Sequence, residues 1–246
     1  MKYFVPNLKL SADLPAQNQL VDKLGGLPWG LKSDQYPICS HCGKSQSLLA
    51  QLTHHPERLD LGRSGRVLLV FQCNHDPGEC PTWEGGAGAN ACLVLDPEEL
   101  INKLASLPTD LPLIEPEARI TGWISEDDAI TSDQASAFLG SEEFWDLPNE
   151  VTDGVYFATK LGSVPAWIQS PSEAPGEDWV FVGQLSAFYQ FAEEPANQTG
   201  VSIYPSSNGW ACEGPNFGDG GIGYIFLRYG AEKAEKPEGW FFWQCG

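Results

Sequence analysis

The sequence predicts a β-rich α+β fold made of internally duplicated strand-and-hook units with a few helices between them. Three observations lead there. Apolar residues fill 42% of the 246 positions and include nine Trp and twelve Phe, which supplies a large core and argues against disorder. The strongest apolar runs are short, β-branched and aromatic, and they stand between loops rich in glycine and proline. One motif also occurs twice. Lys23-Leu24-Gly25-Gly26-Leu27-Pro28-Trp29 returns as Lys160-Leu161-Gly162-Ser163-Val164-Pro165-Ala166-Trp167, and Leu49-Ala50-Gln51-Leu52 returns as Val182-Gly183-Gln184-Leu185. Gly65 before one apolar strand is matched by Gly221 before another. The order is the same and the spacing similar, as expected of two copies of one supersecondary unit.

In chain order, residues 18–24 read as a short helix and residues 25–30 as an irregular hook. Residues 48–52 and 90–95 are strands. Residues 66–71 are almost continuously apolar and read as a strand buried on both faces. Asp96-Pro97-Glu98-Glu99 combines an N-cap, a proline at the first helical position and a capping-box glutamate, so a helix is expected over 97–104. Pro108, Pro112 and Pro116 make an extended connector of 106–116. Ser125-Glu126-Asp127-Asp128 and Ser141-Glu142-Glu143 each resemble an N-cap with an acidic first turn, so one or two helices are expected within 126–145. Strands are expected again at 155–158, 179–185, 223–228 and 240–244. The segments divide as a first repeat over 1–106, a connector with helices over 107–150 and a second repeat over 151–246, within one compact unit.

Fourteen Lys and Arg against 33 Asp and Glu leave a net charge of −19. That balance excludes non-specific nucleic-acid binding and docking on anionic membranes, since both need a basic surface. The N-terminal residues lack an apolar run of signal-peptide length, and no later stretch approaches the length of a membrane span. The expectation is a reduced, cytoplasmic protein, in which spaced cysteines point to metal or redox chemistry.

Those cysteines form a pattern. Cys39-Ser40-His41-Cys42-Gly43 places two thiols at knuckle spacing, with a glycine free to take the positive φ such a turn needs. The second pair, Cys73 and Cys80, follows the apolar strand, and a Pro77-Gly78 turn can bring Cys80 back beside Cys73. Four thiolates from two loops make a structural zinc site with no open position for catalysis. His75 is an alternative to Cys73 or Cys80 as ligand, and an unbound reduced set or redox and iron–sulfur use are alternatives to zinc. Cys92 reads as a small core residue, and Cys212 and Cys245 give no pairing signal.

Other chemistry is missing. No Gly-x-Ser-x-Gly elbow, Walker loop or His-Glu-x-x-His occurs. Gly85-Gly86-Ala87-Gly88-Ala89-Asn90 imitates a phosphate loop but precedes a strand and lacks a basic residue. The repeated glutamines, Gln51 and Gln184, need partners for both ends of the amide if buried, and the neighbouring hooks are candidates.

The hook at 25–28, Leu49-Ala50-Gln51-Leu52, Asn216-Phe217-Gly218-Asp219-Gly220-Gly221 before Tyr224-Ile225-Phe226, and the closing Trp243-Gln244-Cys245 resemble the YwqG-like family of bacterial proteins. Residues 39–80 are also similar to the N-terminal part of programmed cell death protein 2, which has the same order of hook, Cys-x-x-Cys-Gly, Leu-Gln strand and further cysteines. The resemblance implies a duplicated β-rich fold and, through the second family, a chaperone-like role toward a basic ribosomal protein. Residues 107–150 carry no resemblance. The sequence therefore weighs toward a non-enzymatic, zinc-stabilised protein-binding module, chaperone-like or immunity-type, whose charge steers a basic partner. The alternative is a small-ligand binder or enzyme using a cleft between the repeats, lined by Trp29, Gln51, Trp167 and Gln184.

Overall fold

A computed structural model describes residues 1–76, 78–140, 142–232 and 235–246; Pro77 of the predicted turn and the predicted N-cap Ser141 lie outside the described residues. The strands, in order, are β1 (Lys2–Leu10), β2 (Lys23–Leu24), β3 (Ser47–Thr53), β4 (Val67–Gln72), β5 (Asn90–Leu95), β6 (Ala118–Asp127), β7 (Lys160–Gly162), β8 (Val180–Ser186), β9 (Phe188–Phe191), β10 (Tyr204–Ser206), β11 (Gly209–Glu213), β12 (Ile222–Arg228) and β13 (Glu238–Gln244). The helices are short: α1 (Ser132–Ala137) and α2 (Asn149–Thr152). The β-rich expectation is met.

Ten strands form one sheet in the order β13-β12-β8-β7-β1-β6-β2-β3-β4-β5, with every neighbouring pair antiparallel. The long β1–β6 pair lies at its centre. Outward on each side come a short strand leading into a hook (β2 or β7), a strand with a buried glutamine (β3 or β8), a fully apolar strand (β4 or β12) and an edge strand (β5 or β13). The two edges curl toward each other: a Cβ on Gly239 of β13 would fall 2.6 Å from the Cys92 carbonyl oxygen of β5. A separate small sheet has the order β10-β11-β9. The large sheet draws strands from all three sequence segments, with β1, β6 and β7 adjacent at its middle.

The apolar strands feed two cores at once. Leu68 and Val70 of β4 face the central cluster, while Val67, Leu69 and Phe71 face a second cluster beneath the 97–113 segment. On β12, Ile225 and Leu227 face the centre and Ile222, Tyr224 and Phe226 a third cluster beneath 130–179. Period-two burial on both faces explains why these strands read as continuous apolar runs.

Several local expectations fail for a tertiary reason. Residues 18–24 form no helix: the Val21 carbonyl accepts from the Gln51 side chain, and the Asp22 carbonyl accepts from the Ile120 amide, which holds the chain extended. The helix expected over 97–104 stops after a single 3-10 turn, Pro97–Glu99, although the Asp96–Glu99 capping box forms. Beyond it, Ile101 and Ala105 donate to the carbonyls of Gly30 and Pro28, and Lys103 accepts from Gly30, so the hook takes the backbone a helix would have used. Residues 155–158 are not a strand; the carbonyls of Tyr156 and Ala158 accept from Gln184. The acidic Ser125-Glu126-Asp127 ends strand β6 and does not start a helix; α1 begins later, capped by Thr131.

Both hooks are held alike. Gln51 Oε1 accepts from the Trp29 amide (2.7 Å) and its Nε2 donates to the Val21 carbonyl (2.7 Å). Gln184 Oε1 accepts from the Ala166 amide (2.9 Å) and its Nε2 donates to Ala158 (2.9 Å) and Tyr156 (3.1 Å). Both glutamines are fully buried. Gly25 and Gly26 turn the first hook at φ +68° and +67°; Gly162 and Ser163 turn the second at +84° and +55°. Replacing Gln184 by Leu would orphan one amide and two carbonyls, and should lower stability by about 2–4 kcal/mol in denaturant unfolding.

Lys23 and Lys160 also occupy matching places, both fully buried. Lys23 Nζ is satisfied by Glu117 (2.9 Å) and Gln17 (3.0 Å). Lys160 Nζ has no hydrogen-bond partner among the described residues and sits 5.6 Å from the centre of the Tyr3 ring. Burial pulls its pKa down to about 8, against the pull of Asp128. The unfolded chain keeps that proton up to the ordinary value of 10.5. It therefore binds more protons than the folded chain between these values, and stability rises with pH across that window. Below pH 8 the burial penalty is present in full. Lys160→Met should therefore raise stability at pH 7 by about 1–3 kcal/mol and abolish the rise between pH 8 and 10.5, as measured by chemical unfolding across pH.

Candidate metal centre

The chain supplies its cysteines from loops that flank the buried strands of the first half. The first pair lies in a knuckle just before β3. The Cys39 amide donates to Lys44 O (2.8 Å), and the Gly43 amide donates back to Cys39 O (2.9 Å), closing the turn. Gly43 has φ +72°, the conformation its sequence position requires. Cys73 follows directly on β4, and its amide donates to Ala89 O (2.8 Å). A turn at Asp76, whose carbonyl accepts from Glu79 (3.1 Å) and Cys80 (3.4 Å), returns Cys80 to Cys73.

The result is one cluster. The sulfurs of Cys39, Cys42, Cys73 and Cys80 all lie within 4.8 Å of one another, and Cys42 and Cys73 are 3.6 Å apart. A disulfide needs about 2.05 Å, and all seven cysteines are free thiols. Four sulfurs about 2.3 Å from a tetrahedral ion would stand about 3.8 Å apart, so the donor set suits a metal ion. His75 is not in this cluster; its Nε2 meets the Ser45 carbonyl at 3.0 Å.

Electrostatics point the same way. Burial pushes the Cys73 thiol up to about 11, and burial with the neighbouring thiols pushes Cys80 higher still. Burial also opposes ionisation of Cys42, but the Lys44 amide and the surrounding thiols outweigh it and hold its pKa below the ordinary value. Burial therefore keeps Cys73 and Cys80 protonated at neutral pH, and ionising several thiols in this one spot would require a compensating cation. Three of the four cysteines are buried, with Cys42 half-buried, and their only buried apolar companion among the described residues is Ala89. Among its described residues, the loop over 73–89 has no helix or strand of its own. Its interior is essentially sulfur.

The end of the glycine run at 85–88, which imitates a phosphate loop, is tied to the first knuckle, while Gly85 and Gly86 lie against Trp240. The Gly88 carbonyl accepts from the Ser40 amide (3.0 Å) and from Gln46 Nε2 (3.1 Å), and Ser40 Oγ donates to Ala87 O (2.9 Å). The sequence alone does not reveal this role, because it depends on where Ser40 arrives in space.

The other candidates are placed differently. Gln51 and Gln184 are spent on the hooks. Trp29 is buried, its backbone bridged to Leu104. Trp167 is buried, donates from Nε1 to Phe138 O (2.6 Å), and one side of it forms a wall of a surface groove. Cys92 is partly buried against the central core, and Cys212 is fully buried within it. His54 and His55 accept from the Leu61 and Glu57 amides and shape their own loop. Among the described residues, no helix is long and apolar enough to cross a membrane. The chain matches no protein-family model and no curated protein.

A Cβ on Gly88 would fall 2.2 Å from Ser40 Oγ, and its φ is +78°. Gly88→Ala should therefore cost about 2–3 kcal/mol in thermal unfolding. Gly43→Ala, with φ +72° but nothing within 4 Å, should cost only about 1 kcal/mol.

Proposed function

We propose that Cys39, Cys42, Cys73 and Cys80 bind one structural zinc ion, and that the chain is a non-enzymatic, zinc-stabilised module that binds a basic protein. The observation that carries this reading is the convergence of four sulfurs from two loops within 4.8 Å. Soft thiolates favour zinc over calcium, magnesium or manganese, and four protein ligands leave no position for a reacting water. Zinc binding would contribute directly to folding of the sulfur-lined loop.

The partner reading rests on charge. A net −19 attracts and orients basic proteins and repels nucleic acid and anionic lipid. The similarity of residues 39–80 to programmed cell death protein 2 supports a chaperone-like role, while the immunity-type alternative rests on the charge alone. The similar bonding of Gln51 and Gln184, each accepting from a hook amide and donating to backbone carbonyls, supports descent of the two halves from one duplicated unit.

Untagged protein is expected to hold one zinc per chain by elemental mass spectrometry. Cys42→Ser should release it and lower the thermal midpoint by about 10 °C. The metal-loaded protein should bind purified basic proteins with an affinity that falls as salt rises. A metal-free native protein contradicts the zinc assignment, and binding of basic and acidic proteins alike contradicts the partner assignment.

A further inference from the structure

The charge is not spread evenly. Between residues 120 and 227 the chain carries sixteen carboxylates and one basic side chain, the buried Lys160. Within that acidic stretch, residues 138–157 fold over the third core cluster and leave a groove of about 300 Å³. Its walls include Phe144, Trp145, Leu147, Phe157, Pro165 and the buried Trp167. Two of these aromatics stand in water: Trp145 is 67% exposed and Phe157 52% exposed. Phe138, Phe144 and Trp145 form an edge-to-face series (5.7 and 5.3 Å between ring centres) leading from the core to the surface.

The rim has one sign. Asp153 lines the groove, Asp146 and Glu150 are exposed next to lining residues in the chain, Glu142 and Glu143 are exposed just ahead of Phe144 in the chain, and no lysine or arginine lies anywhere from 120 to 159. Exposed Trp and Phe around a groove of side-chain size are the features of an anchoring pocket. Carboxylates around it select what enters. A second copy of this chain would bring the same negative face and be repelled.

We infer that this groove docks a basic peptide segment, inserting one large apolar side chain between Trp145 and Phe157 while flanking lysines or arginines meet the acidic rim. The inference rests on the proposed binding role and gives it a location. The apolar anchor supplies most of the affinity, and the rim supplies the on-rate and the sensitivity to salt.

The test uses the full chain and a dye-labelled lysine-rich peptide with one central phenylalanine, followed by fluorescence anisotropy. The peptide should bind. Replacing its phenylalanine by alanine, or introducing Trp145→Ala with Phe157→Ala in the protein, should each raise Kd at least tenfold. Asp146→Asn, Glu150→Gln and Asp153→Asn together should raise Kd at low salt and flatten its salt dependence, with the thermal midpoint unchanged. Equal binding by the aromatic double variant, or by the alanine peptide, overturns the groove. If the double variant still binds basic proteins as the parent does, the broader function stands and only its location falls. If the parent chain binds neither peptide nor basic protein, both fall.

Discussion

Four sulfurs converge where two segments meet, and hydrogen bonds from Ser40 to Ala87 and Gly88 join the same segments. The knuckle at 39–43 lies ahead of β3, and the loop over 73–89 joins β4 to β5. Among its described residues, the second of these has neither regular structure nor an apolar filling of its own. A loop of that length normally stays open, because ordering its backbone costs about 1–2 kcal/mol per residue. The proposed thiolate-bound cation would offset that cost at one point and would fix the ends of β3 and β4, whose side chains supply both the central core and the core beneath 97–113.

The sheet depends on a second constraint of the same kind, made from hydrogen bonds. Each half contains an irregular hook whose backbone cannot satisfy itself. In each half a buried glutamine from the adjacent strand closes that deficit with both ends of its amide. The side chain must be buried to do so, and its burial is affordable only because every polar atom is used. The lysines beside them differ between the two halves. Lys23 has a carboxylate partner, while Lys160 has an aromatic face and no hydrogen bond among the described residues.

The four-cysteine cluster was legible in the sequence because knuckle spacing and a following glycine are local signals. The exclusion of His75 was not, since it depends on the imidazole reaching Ser45. The strands β4, β5, β8, β12 and β13 were legible from their apolar runs. The central pair was hidden. Pro6 lies in the middle of β1, where a missing amide normally argues against a strand, and the tail of β6 is acidic enough to look like a helix cap. The failed helices at 18–24 and 97–104 share one cause: distant backbone claimed their donors and acceptors. The acidic groove depends on how 138–157 folds over its core, and only its charge was visible beforehand.

The proposed function joins two features of the molecule, a four-cysteine cluster beside the sheet and an acidic stretch bearing exposed aromatics. That account stands first on the identity of the ion. X-ray absorption at the zinc edge of the native, untagged protein tests it most directly. A single shell of four sulfurs near about 2.3 Å is the predicted result. A shell containing nitrogen or oxygen, or a protein with no zinc edge, would contradict it.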